Sequence, residues 1–251
     1  MTAVSPAGAV LTIARTELRL MTREWASMVF AFAFPVLLML ILGGIFGTDP
    51  SSDYGGASPD DYFVADYVIV PLGALALVGL PVMLSGYRER GVLRRFASAG
   101  IGTRYVLGAQ VLVTVVLVLL GGVVVLAVAA PVYGVPAVHD PGRALVGLAL
   151  GGVVMIGIGA VLGLLAPTAR SAQAMGLLAF FPMWLLGAGG PPREVMPEAM
   201  GIVADLLPLG RVAAAVRKPW LGTGSAEGDL FALLIWLVVV VAALGVLGRR
   251  R

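Results

Sequence analysis

Cysteine is absent from this chain of 251 residues, histidine occurs once, at His139, and lysine once, at Lys218. The first absence excludes a disulfide framework and a thiolate metal site. A single imidazole cannot build a metal cluster by itself, so only carboxylate sites stay open. Lys218 stands in the run RKPW, not behind glycines and ahead of Ser or Thr, and the chain therefore holds no phosphate-binding loop. Charge is scarce as well, at 12% of residues against about 25% in a soluble domain of this size. With 59% hydrophobic residues and a mean hydropathy of +0.99, the sequence reads as an all-α integral membrane protein.

The charge that is present is concentrated. Residues 87–105, YRERGVLRRFASAGIGTRY, carry Arg88, Arg90, Arg94, Arg95 and Arg104 against one acid, Glu89, between apolar runs at 62–86 and 106–130. Short arginine-rich loops stay cytoplasmic, because moving guanidinium groups through hydrocarbon is costly. At helical period Val92, Glu89, Phe96 and Leu93 share one arc and Arg90, Arg94, Arg95 and Arg88 fill the rest. An amphipathic helix is expected over 88–100. It either lies on anionic lipid or docks a cytoplasmic partner, and Glu89, an acid on the apolar side, favours docking.

Six spans follow from the apolar runs, at about 26–47, 62–86, 106–130, 144–166, 172–187 and 230–247, each close to the ~20 residues a bilayer requires. Pro35 is expected to kink the first, and Pro71 and Pro81 lie inside the second. Before them, residues 9–23 form an interfacial helix, with Ala14, Leu18 and Ile13 on one face and Arg15, Arg19 and Arg23 on the other. Glu17 falls on the apolar side, where it either pairs with a cytoplasmic loop or snorkels into water. The fourth span carries Gly147, Gly151, Gly152, Gly157, Gly159 and Gly163; small residues at that spacing admit close helix packing, although glycine is common in membrane helices generally.

Residues 188–225 hold Glu198, Asp205, Arg211, Pro197 and Pro208, which makes a crossing expensive. Two short helices dipping into the outer leaflet are expected instead, so that both termini are cytoplasmic. This topology places twelve of seventeen basic residues inside against Glu17, Glu24 and Glu89, a balance of +9, and leaves −6 outside. The net charge of +3 is thus topological, and no nucleic-acid partner is implied. No expected span holds an ionisable residue well inside it, which counts against an ion-coupled carrier or a charged pore. If transport is driven by ATP, a separate polypeptide binds the nucleotide.

The order of these features, with RERGVLRRFASAGIGTRYVLG at 88–108 and LLGAGGPPREVMPEAMGIVADLLPLGRVAAAVR at 185–217, resembles the ABC-2 type permeases, the membrane subunits of bacterial ABC exporters related to the daunorubicin-resistance permease. The resemblance implies that Arg88, Glu89, Arg90, Gly91, Leu93 and Arg94 contact an ATPase subunit, with Glu17, Arg19 and Arg23 nearby. It implies an outer gate at Gly187, Gly190, Pro191, Pro192, Pro197 and Pro208. It further implies two ATPase subunits that bind ATP and Mg, a second permease copy or a sister permease, and a multi-pass place in the plasma membrane. Phe30, Phe32, Phe34, Met183 and Trp184 are candidates to line the pathway of an apolar or amphipathic substrate, or are ordinary packing aromatics. A carrier without an ATPase and a non-transporting anchor are the alternatives.

Overall fold

A computed structural model describes residues 6–21, 29–98, 100 and 102–249. Arg23 lies outside the described residues, and so does the side chain of Phe30. The helices are α1 (Pro6–Met21), α2 (Phe34–Phe46), α3 (Pro59–Tyr67), α4 (Val70–Ala74), α5 (Leu80–Glu89), α6 (Val92–Ser98), α7 (Thr103–Val132), α8 (Pro141–Leu165), α9 (Ala169–Met183), α10 (Glu198–Leu206), α11 (Pro208–Leu221) and α12 (Glu227–Arg249). No strand occurs among the described residues. Among the described residues five helical segments are long and apolar enough to cross a membrane, and the bent pair α10–α11 would make a sixth. The described part of the first expected span, Ala31–Phe46, is apolar but shorter.

The segments α3, α4 and α5 form one run interrupted by a turn at 68–69 and a π-turn at Leu75–Gly79. Pro71 and Pro81 each occupy the first turn of a new segment, where the missing N–H costs no hydrogen bond. Pro35 likewise opens α2 after the π-turn Val29–Ala33. The expected kink is therefore realised as a change of helical pitch.

Glycines set how near α8 comes to its neighbours. A Cβ at Gly159 would lie 1.9 Å from the carbonyl oxygen of Ala76 in the second-span π-turn, and one at Gly151 2.5 Å from Val212 of α11. Gly147, Gly157 and Gly163 also face neighbouring helices, whereas Gly152 has nothing within 4 Å. Close packing thus accounts for five of the six glycines, because only there does another backbone or side chain occupy the space of a side chain.

The stretch at 188–225 folds as two helices meeting at 89°. Leu207 and Pro208 make the break: Leu207 is extended and Pro208 begins α11, the conformations that a residue before proline and a helix-starting proline prefer. Both ends of the pair meet the same end of the bundle. Glu194, just ahead of α10, approaches Gly55, and Trp220 Nε1 near the end of α11 donates to Pro136 O at 3.0 Å. Between those points α11 runs deep into the bundle, with Leu209 fully buried against Gly73.

Candidate functional site

The second-span helix ends at Glu89, three residues into the arginine-rich run. Gly91 adopts φ +67°, a left-handed conformation that stops a helix and that glycine takes without penalty. The expected helix over 88–100 is therefore divided: Arg88 and Glu89 close α5, and α6 begins at Val92. Val92, Leu93 and Phe96 are half-buried against the core and Arg90, Arg94 and Arg95 are exposed, as the helical arc anticipates, but ahead of the break the arc fails, since Glu89 is exposed and Arg88 half-buried.

Arg88 and Glu89 reach two different helix ends. The guanidinium of Arg88 donates to the carbonyls of Gly163 and Leu164 at 3.2 Å each and to that of Ala166, the last carbonyls of α8. One turn earlier, Ser85 Oγ donates to Gly163 O at 3.1 Å. The Glu89 carboxylate accepts from the backbone N–H of Ala169 at 2.9 Å, the first residue of α9. A cation at a helix C-terminus and an anion at a helix N-terminus each satisfy orphan backbone groups and oppose the helix dipole. Two successive residues thus clip the α8–α9 turn to the loop. The acid on the apolar side of the expected amphipathic helix has its partner inside this chain.

Helix α1 packs along α7. Its inward face is Val10, Ile13, Ala14, Glu17 and Leu18, with Arg15, Thr16 and Arg19 exposed. Glu17 is 6% exposed; it is turned into the protein rather than snorkelled to solvent, because it follows Val10, Ile13 and Ala14 at the i+3/i+4 spacing of the packed face.

At the opposite end, Gly187 lets the turn after α9 touch α11: a Cβ there would lie 2.7 Å from Gly210 Cα. Gly190 folds back on Leu185, whose carbonyl oxygen would stand 1.6 Å from a Cβ. Pro192 is buried and Pro191 exposed, and Pro197 and Pro208 directly precede or open α10 and α11. Of the aromatic candidates, Phe34 of α2 packs on Trp184 with ring centroids 5.4 Å apart, and Trp184 also stacks near Phe180 and Phe181. Phe32 sits beside Gly121 of α7, and Met183 is half-buried against the core. These contacts bring Phe34, Met183 and Trp184 to one region and put Phe32 against a different helix.

One charged pair escapes the sequence reading. Asp66, inside the apolar run taken as the second span, is 1% exposed and takes a 2.5 Å hydrogen bond from Arg217 of α11, itself 8% exposed. The Arg217 guanidinium also lies 4.0 Å over the Tyr62 ring. The expectation that no span holds an ionisable residue well inside it passed over Asp66, which lies one turn inside the second span and whose cost of burial is offset by a partner 151 residues away. A second tie holds α11 to α12: Arg211 and Lys218 both bond the buried Asp229, at 2.9 and 2.6 Å. The signal for Asp66 was an acid one turn inside a hydrophobic run, a place where acids are functional or paired.

Among the described residues no group of three or more His, Asp or Glu side chains is placed to hold a metal ion. The sequence model of a family described as ABC-2 type transporter matches residues 8–219. No curated protein matches the chain.

Proposed function

The chain belongs to the ABC-2 type transporter family and is the membrane permease component of an ABC-type transporter, and on that premise we propose that it works as an exporter driven from the arginine-rich loop. Two copies of the chain, or one copy with a sister permease, enclose the pathway in the plasma membrane. Two ATPase subunits, which bind ATP and Mg, sit beneath α1 and the loop. Arg90, Arg94 and Arg95 face that subunit, with Gly91 as the hinge and Leu93 seating α6 on the bundle. Arg19 of α1 extends the same surface. The α10–α11 pair enters and leaves from the outer face and closes it, and Gly187, Gly190, Pro191, Pro192, Pro197 and Pro208 shape that closure.

The observation that carries this reading is the clip made by Arg88 and Glu89. A push on α6 is transmitted through Gly91 to α5, and the clip hands it to the ends of α8 and α9 without slack. A loop lying passively on lipid has no need of such a fastening. The ion-coupled alternative is weakened, because Asp66 is already neutralised by Arg217 and a driving cation would have to displace a guanidinium. The cargo is of the apolar or amphipathic class, drug-like or lipid-like, since the accessible rings of Phe34, Trp184 and Phe181 offer apolar surface rather than charge.

The test is transport by the chain reconstituted with its ATPase. Glu89→Lys places a cation at the N-terminus of α9 and is expected to abolish ATP-dependent export while the protein still inserts. Glu89→Gln retains an oxygen acceptor for Ala169 N–H and should preserve export. Undiminished export by Glu89→Lys removes the coupling role, and compounds that stimulate ATP hydrolysis identify the cargo.

A further inference from the structure

Resting on the exporter reading, we infer that Asp66 and Arg217 form a latch that yokes the outer hairpin to the second span. The run from Pro59 to Glu89 carries Asp66 near one end and the Arg88–Glu89 clip at the other. At 1.5 Å per residue the two lie about 35 Å apart, which is the depth of a bilayer. The same helical rod therefore grips the α8–α9 turn at one face of the protein and the hairpin at the other. Its middle is the π-turn at 75–79, whose carbonyls at Ala76 and Leu77 rest against Gly159 and Gly176.

Arg217 is held for one arrangement. Asp66 takes one edge of the guanidinium and Tyr62 covers its face. A buried ion pair adds little stability over an apolar pair of similar size, yet separating its members strands a charge. The pair thus specifies geometry: while α11 sits against α3 it is satisfied, and an intermediate separation is not. A second arrangement is available to Arg217. A cavity of about 120 Å³ opens beside it, lined by Glu194 and by Asp205 and Asp229 with their partners Arg193, Arg211 and Lys218, so on leaving Asp66 the guanidinium meets the Glu194 carboxylate in a polar space instead of hydrocarbon. Two satisfied positions with a costly interval between them make a two-state latch.

The chain's lack of cysteine gives a clean reporter. Ala214 lines the cavity, and Ala214→Cys in proteoliposomes containing the ATPase is probed from outside with a membrane-impermeant maleimide, with and without ATP. In the otherwise native chain labelling is slow at rest and rises with ATP. In Asp66→Leu/Arg217→Met, which removes both charges and strands neither, resting labelling is expected to rise roughly tenfold and to lose most of its response to ATP. Asp66→Glu, which keeps the pair, should restore slow resting labelling. Resting labelling of the double variant equal to that of the native pair, with the ATP response intact, overturns the latch. Loss of ATP dependence with residues 66 and 217 unaltered overturns the exporter reading and the latch with it.

Discussion

At Gly159 a methyl group has no room. Its Cβ would stand 1.9 Å from a backbone oxygen, which cannot rotate away as a side chain can. Gly159→Ala is expected to destabilise the protein by about 1–3 kcal/mol, the usual cost of overpacking. Gly152→Ala, with nothing nearby, should be neutral or stabilising by up to about 1 kcal/mol, since alanine is the better helix former. Thermal unfolding in detergent compares the two, and equal shifts would mean that α8 does not approach the second span as described. Arg217→Met alone strands Asp66 and should cost about 3–5 kcal/mol, whereas Asp66→Leu/Arg217→Met costs little. In the sequence the six glycines of the fourth expected span stand on equal footing, and Asp66 is one more acid near the start of a span. Their sorting depends on neighbours far along the chain.

Between elements, the α8–α9 turn is held by side chains from α5. Thr168 caps α9 and shares reciprocal hydrogen bonds with Ser171, so the start of that helix is legible from its own residues. The acceptor for Ala169 N–H is not, because Glu89 belongs to another helix. Glu89→Ala should therefore accelerate amide hydrogen exchange at Ala169 while leaving Ser171 protected by its own cap. Exchange unchanged at Ala169 would place its acceptor elsewhere. The division of the loop helix has a similar origin. A helical arc drawn through 88–96 treats Gly91 as one more position, and periodicity carries no information about which glycine adopts positive φ. The arc still finds the inward face of α6, because Val92, Leu93 and Phe96 are close enough in sequence to share one turn.

For the whole molecule, the two ends differ in how charge is used. All five basic residues assigned outside, Arg143, Arg193, Arg211, Arg217 and Lys218, are in ion pairs, and three of them, Arg211, Arg217 and Lys218, lie on α11. At the loop end, Arg15, Arg19, Arg90, Arg94 and Arg95 are exposed, in keeping with a surface offered to another subunit. Orientation is testable in the cysteine-free chain. Ala97→Cys on α6 should react with an impermeant maleimide only from the cytoplasmic face, and Ser225→Cys ahead of α12 only from outside, both positions being exposed. The reverse pattern would invert the molecule and remove the loop from any ATPase.

The sequence by itself determined the membrane class, the all-helical fold, and that the stretch holding Pro208 is two short helices rather than one long one. Those follow from hydrophobic length, charge asymmetry and proline stereochemistry, which are local or additive along the chain. Tertiary structure alone decided which glycines admit a neighbour, that Glu89 and Arg88 serve helix ends, that Glu17 turns inward, and that Asp66 answers Arg217. Each of these is a pairing across tens of residues or more, and a hydrogen bond or close contact is fixed by where two backbones meet, which no periodicity within either segment encodes.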